Sequence, residues 1–115
     1  MTDKIKAYMN RRNVYTLIEK WAEEGEEFFY ADNIKDNIGL EYDEIYQQIE
    51  DLLNLGVIII KYVIENNDGL EIYEDLNSIP KYAFIDGKKY HVTEEEIFMR
   101  FYFADDFAKI MQSRK

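Results

Sequence analysis

The residue types that most often act in catalysis or bind metals are scarce in this sequence, and their spacing does not suit a catalytic or metal site. His91 is the single histidine and the chain has no cysteine. Neither a metal site built from His and Cys nor a His-based triad with Cys can therefore form within one chain. The segment Asn66–Glu71 shares residue types with a calcium loop, but placing Gly69 at loop position 6 puts Ile64 at position 1, where an acidic ligand is needed. We interpret it as a turn and expect no metal site.

Carboxylates are abundant, but no pair of them has the spacing of a general acid and base. Glu23 with Glu24, and Asp105 with Asp106, are adjacent in helical segments, and adjacent helix positions point apart. The five glycines are scattered and form no phosphate-binding loop. We therefore expect a protein that is not an enzyme and has no cofactor.

The negative charge is concentrated in one part of the chain. The 115 residues carry 24 Asp plus Glu against 14 Lys plus Arg, a net charge of -10. Residues 13–56 contain twelve acids and two bases, whereas residues 1–12 contain four bases and one acid. A field of a single sign repels polyanions and attracts cationic partners. The simplest alternative is a solvated acidic surface that the basic N-terminal segment neutralises internally.

Length and composition indicate a folded chain of one domain, residues 1–115. Hydrophobic residues make up 47% and aromatic residues 16%, which excludes a disordered acidic tail. The sequence has no apolar run near 20 residues and no signal-peptide core at its start, so we expect no membrane association. With no cysteine, the prediction is a cytoplasmic protein.

Apolar periodicity predicts three helices in the first half of the chain. Apolar residues three and four apart over 14–22 indicate an amphipathic helix that ends at Gly25, with its start left open. An aromatic stretch over 27–31 predicts a brief strand, and Asp32 is the expected N-cap of a short helix that ends at Gly39. Apolar residues from Leu40 to Leu53 predict a third helix, which begins near Glu41 or Asp43 and ends at Leu55-Gly56.

The second half of the chain predicts two hairpins and a final helix. The β-branched run 57–64, the turn 66–69 and the return strand 70–73 form the first hairpin. Residues 81–92, with an Asp86-Gly87 turn, form the second. Residues 93–96 read as a capping box that opens a helix over 94–113. The predicted class is α+β.

This order of elements, with the phrase IEDLLNLGVI before a strand, resembles that of winged helix-turn-helix domains over residues 13–75. The full prediction is a winged helix-turn-helix with an extra β-hairpin and a C-terminal helix. That last helix looks like the dimerisation helix of small regulators of this kind. The resemblance implies either a DNA-binding regulator or a protein-binding module, since the fold serves both.

The exposed residues of the third helix distinguish between these two functions. In DNA-binding members the third helix enters the major groove. If Ile45, Ile49 and Leu52 face inward in this chain, the outward residues of the helix have carboxylate or amide side chains. Gln47 and Gln48 suit adenine edges, but the carboxylates around them would weaken binding to phosphates, so duplex DNA is disfavoured. The predicted partner-binding residues are Asp43, Glu44, Gln47, Gln48 and Asp51.

The leading hypothesis is a non-catalytic interaction module, an adaptor subunit or an inhibitor, that binds a basic protein surface. The alternative is a DNA-binding transcriptional regulator, whose nucleic-acid contacts would be Arg11, Arg12, Gln47, Gln48, Lys88 and Lys89. The aromatic residues of the predicted C-terminal helix are interpreted either as a homodimer or partner seam or as core packing. They are Phe98, Phe101, Tyr102, Phe103 and Phe107.

Overall fold

A computed structural model describes residues 3–66, 69–73, 81–93 and 97–114, and it has the mixed α+β class that the sequence predicts. Its elements, in chain order, are α1 (Asp3–Glu23), β1 (Phe28–Phe29), α2 (Ala31–Ile38), α3 (Tyr42–Leu55), β2 (Ile58–Asn66), β3 (Gly69–Tyr73), β4 (Tyr82–Ile85), β5 (Lys88–His91), β6 (Ile97–Phe103) and α4 (Asp105–Gln112).

The strands form two sheets, one of four strands in the order β1-β6-β2-β3 and one of the two strands β4-β5. The chain divides into two compact units. Unit 1 comprises residues 1–59 with 102–115, and unit 2 comprises residues 60–101. Strands β2 and β6 each have residues in both units. The single domain predicted for residues 1–115 stays a prediction.

The core of unit 1 is built on the inward faces of its helices. Along α1 the buried residues are Val14, Ile18 and Ala22, four apart, which is the spacing of one helix face. Aromatic rings extend this core to the strands. Trp21 packs on Phe29 with ring centroids 5.5 Å apart, and Phe29 packs on Phe103 at 5.6 Å.

Three helix boundaries in unit 1 differ from or complete the sequence-based prediction. Helix α1 begins at Asp3, so the basic N-terminal segment is helical. The N-cap of α2 is Tyr30 and not Asp32, because the side-chain oxygen Oδ1 of Asn33 accepts the Tyr30 backbone N–H at 2.7 Å. Helix α3 ends, as predicted, at Gly56, whose φ of 77° is left-handed and favours glycine.

The predicted C-terminal helix over 94–113 is wrong in its first half. Residues 97–103 form strand β6, and the helix that follows is α4. The run Ile-Phe-Met-Arg-Phe-Tyr-Phe is rich in strand-forming residues, and it lies between β1 and β2 in the sheet order. Both faces of β6 include buried residues, Arg100 on one and Phe101 on the other. The predicted capping box falls on residues 93–96, of which 94–96 lie outside the described residues.

Both predicted hairpins are confirmed in unit 2. Strands β2 and β3 are antiparallel from Tyr62 opposite Tyr73 to Asn66 opposite Gly69, and the turn residues 67 and 68 lie outside the described residues. Strands β4 and β5 join through Asp86 and Gly87, whose φ values of 53° and 74° are both positive, as a type I′ turn requires. One buried cluster of this unit consists of Ile64, Ala83 and Ile85.

Tyr73 makes the stability of unit 2 depend on pH in the alkaline range. Its hydroxyl donates to the Tyr82 carbonyl oxygen at 3.3 Å, and burial, together with a hydrogen bond to Glu71, raises the pKa of Tyr73 to about 12. A tyrosine in the unfolded chain has a pKa of about 10. The stabilisation by Tyr73 is therefore complete below about pH 10 and is lost as the pH rises through about 12.

We expect Tyr73→Phe to flatten the fall in the free energy of unfolding across this alkaline window, measured by urea unfolding at stepped pH. Tyr8→Phe, at an exposed tyrosine of α1, is the control and should keep the wild-type slope. A Tyr73→Phe slope equal to that of the wild type would contradict the expectation.

Candidate functional site

Helix α3, the predicted partner-binding helix, has a buried side and an exposed side. Ile45, Ile49 and Leu52 are buried, as predicted. The first turn carries Asp43 and Glu44, and the last turn carries no base. Any partner that approaches the exposed side of α3 therefore meets a helix with acidic and no basic side chains.

Gln48 belongs to the buried side of α3, and its predicted place on the partner-binding face is wrong. It lies three residues after Ile45 and four before Leu52, so it is on the same face, and only 6% of its surface is exposed. Within the described part of the chain its side-chain oxygen Oε1 has no hydrogen-bond partner. Gln48 therefore cannot read a base or contact a partner without unpacking the core.

We expect Gln48→Met to stabilise the protein by about 1 kcal/mol, because methionine has a similar shape and removes a buried acceptor that lost its hydration without gaining a partner. The measurement is the free energy of unfolding in urea. Gln47→Met, at the adjacent exposed position, should change it by less than about 0.5 kcal/mol. Destabilisation by Gln48→Met would show that the amide is satisfied in solution.

Two of the predicted partner-binding acids are already in contact with α1. The Glu44 carboxylate accepts a hydrogen bond from Asn10 Nδ2 at 3.1 Å, and Asp51 Oδ2 lies 3.6 Å from Arg11 Nη2. The ion pair agrees with the interpretation of the basic segment as an internal neutraliser of the acids. Both of its members are about half exposed, so it adds little stability.

The remaining surface of α3 combines carboxylates with two exposed tyrosines. Tyr42 and Tyr46, four residues apart, are stacked with ring centroids 6.4 Å apart and an angle of 28° between the ring planes. Asp43, Gln47 and Glu50 are exposed beside them. We call these five residues the acidic-aromatic face. Sequence reasoning missed both tyrosines, although their four-residue spacing off the Ile45–Ile49 stripe was a usable signal.

Helix α2 fixes the ring of Tyr42. The Tyr42 hydroxyl donates a hydrogen bond to the Asp32 carboxylate, and that bond is the main reason that the pKa of Tyr42 is raised, ahead of burial and the charges of Asp32 and Asp36. Lys35 Nζ lies 4.8 Å from the centre of the Tyr42 ring and donates to the Leu40 carbonyl oxygen at 3.2 Å. The acidic-aromatic face is thus held in place by its neighbours.

The predicted aromatic seam on a C-terminal helix is wrong, because its members belong to different elements. Phe98 is exposed on β6, Phe101 is buried on the same strand, and Tyr102 packs on Phe28 at 5.4 Å. Phe107 lies on α4 and packs on Phe103 at 6.4 Å. The basic residues predicted for nucleic-acid contact are exposed: Arg11 and Arg12 on α1, and Lys88 and Lys89 on β5.

One cleft of unit 1 joins aromatic, amide and carboxylate side chains. The cleft has a volume of about 270 Å³ and is lined by Trp21, Glu26, Phe28, Phe29, Asn33 and Asn37. It has one carboxylate and two amides beside its aromatic walls. Among the described residues, no group of three or more His, Cys, Asp and Glu is placed to hold a metal ion.

Comparisons with protein-family models, with curated proteins and with solved structures give no match for this chain. The described helices include none with the length and apolarity needed to cross a membrane. The function proposed below therefore depends on the chemistry of the described surfaces.

Proposed function

We propose that this protein is a non-catalytic, winged-helix-like interaction module of the cytoplasm that binds a basic segment of a protein partner through its acidic-aromatic face. The observation that carries the proposal is the exposed stacked pair Tyr42 and Tyr46 beside Asp43 and Glu50 on one helix. Winged-helix character is part of the proposal, supported by the order α1-β1-α2-α3-β2-β3.

The chemistry of this face suits arginine and lysine side chains. Carboxylates attract cations and steer their approach. Tyrosine rings bind guanidinium groups through cation-π contacts and are enriched among the residues that dominate binding energy. The contact of Lys35 with the Tyr42 ring shows this chemistry within the chain itself. A basic partner would make the same kind of contact with Tyr46, which is about as exposed as Tyr42.

The same face is unsuited to the DNA-binding alternative. Asp43 and Glu50 flank Gln47 on the exposed side of α3, so a helix docked in the major groove would bring carboxylates toward phosphates at every sequence. Gln48, the second residue predicted to read bases, is buried. Of the two glutamines predicted to read bases, only Gln47 is exposed on this helix.

The proposal is tested by titrating the purified protein with a labelled oligo-arginine peptide and, separately, with random duplex DNA, at low and then physiological salt. Its mass in solution is measured alongside, to distinguish a monomer from a homodimer. We expect the peptide to bind and the duplex not to bind even at low salt, where phosphate contacts are strongest. Tight binding of the duplex with no binding of the peptide would contradict the proposal and favour the regulator.

Two subtypes of the module make different predictions for a natural partner. An inhibitor would bind a basic, nucleic-acid-binding protein, and DNA would displace it from that partner. An adaptor would hold its partner mainly through the tyrosines, and its affinity would change little with salt. Once a partner is identified, measuring its affinity at several salt concentrations, with and without competing DNA, distinguishes the inhibitor from the adaptor.

A further inference from the structure

The hairpin β4-β5 of unit 2 presents aromatic and basic side chains on one face. In its register Tyr82 lies opposite His91 and Phe84 lies opposite Lys89. Side chains alternate along a strand, so these four residues share a face while Ala83 and Ile85 on the other face are buried in the unit's core. We call Tyr82, Phe84, Lys89 and His91 the hairpin face.

Two side chains of the hairpin face contact the ring of Tyr82. Lys89 Nζ lies 4.2 Å from the centre of the Tyr82 ring. The His91 ring meets the Tyr82 ring edge-on, with centroids 5.6 Å apart and an angle of 89°. Phe84 is 62% exposed, an unusually large exposure for a phenylalanine. One ring is therefore held between a lysine and a histidine, and its neighbour on the strand is open to a ligand.

Side chains of β3 hold the backbone beneath this face. Glu71 Oε2 accepts the Phe84 backbone N–H at 2.6 Å, and the Tyr73 hydroxyl donates to the Tyr82 carbonyl oxygen at 3.3 Å. Both bonds use backbone groups of β4 and do not involve the rings of Tyr82 and Phe84. The platform is therefore positioned before any ligand binds, which lowers the entropy cost of binding.

The charge of this hairpin is opposite to that of the whole chain. Residues 81–92 contain Lys81, Lys88 and Lys89 against the single acid Asp86, whereas the chain as a whole has a net charge of -10. All three lysines are exposed. The nearby carboxylate of Glu71 is engaged with the Phe84 backbone. The hairpin is thus a local site for an anion.

We propose that the hairpin face binds single-stranded nucleic acid, with a base stacked on Phe84 and a phosphate near Lys89. Aromatic side chains beside cations are the recurring means by which proteins bind single strands without sequence preference. An acidic peptide would use the lysines, but it has no need of an open aromatic ring next to them. The proposal is independent of the proposed function, since all of its residues lie in unit 2 and none lies on α3.

The test is a fluorescence anisotropy titration of the full chain with a labelled, mixed-sequence DNA single strand and with the matching duplex, at low and physiological salt. We expect the single strand to bind more tightly than the duplex. Phe84→Ala should weaken its binding about 5- to 150-fold, the range that loss of one base stack gives. Lys89→Ala should lower the slope of log affinity against log salt by about 0.7.

Two further variants separate stacking from other effects. Phe84→Tyr keeps a ring and should keep binding, whereas Tyr46→Ala removes an exposed aromatic residue of α3 and should leave single-strand binding unchanged. Circular dichroism and thermal unfolding establish that each variant is folded. Three results would overturn the proposal: no binding of the single strand at low salt, equal binding of the duplex, or binding of poly-glutamate in place of the oligonucleotide.

Discussion

Replacing Phe101 with alanine should lower the free energy of unfolding by about 3–5 kcal/mol, the cost of removing a large buried aromatic side chain. Among the described residues, Phe101 is the largest of the fully buried side chains, with 1% of its surface exposed. Its truncation would leave a cavity that the surrounding side chains can fill only in part. Urea unfolding of the purified variant measures the loss.

Phe98→Ala, on the same strand, is the matched control for this substitution. Phe98 is 45% exposed, and we expect its truncation to cost less than about 1 kcal/mol. The contrast tests the corrected assignment of residues 97–103 as a strand with a buried and an exposed phenylalanine. Similar small losses of unfolding free energy for both variants would contradict this assignment and indicate that both phenylalanines lie on the surface.

Tyr46→Ala should weaken the binding of a basic peptide about 30-fold. That factor corresponds to about 2 kcal/mol, the lower bound for a tyrosine that acts as a hot spot at an interface. Tyr46 is 41% exposed and is stacked on Tyr42, so its truncation removes contact area without opening a cavity in the core. Isothermal titration of the variant with oligo-arginine gives the change in affinity.

Tyr8→Ala is the control for Tyr46→Ala, because Tyr8 is an exposed tyrosine on a different helix of unit 1. It should leave the affinity within about twofold of the wild type. If both substitutions weakened binding equally, the peptide would be bound by the protein's charge and exposed aromatic residues in general. The acidic-aromatic face would then have no special role.

Local signals were sufficient to predict both hairpins and helices α1, α2 and α3, apart from the start of α1 and the N-cap of α2. Helices α2 and α3 end at Gly39 and Gly56, whose left-handed φ values are 77°, and the Asp86-Gly87 turn joins β4 to β5. Each of these boundaries follows from the chemistry of a few adjacent residues. Predictions of this kind do not require knowledge of the tertiary structure.

The wrong predictions depended on contacts between distant parts of the chain. Residues 97–103 are mostly apolar, and β6 has buried residues on both faces; from the sequence alone that composition also fits a buried helix. Gln48 is a polar residue in an apolar stripe, and amide side chains are more often exposed. The hydrogen bond from Tyr42 to Asp32 depends on the packing of α2 beside α3.

The most direct test of the proposed function compares two variants of equal charge in the oligo-arginine titration. Asp43→Asn with Glu50→Gln removes two acids from the acidic-aromatic face, and Glu24→Gln with Glu26→Gln removes two exposed acids elsewhere in unit 1. We predict that the first pair weakens peptide binding severalfold at physiological salt while the second leaves it nearly unchanged. Equal weakening by the two pairs would show that net charge alone binds the peptide, and would contradict a binding site on α3.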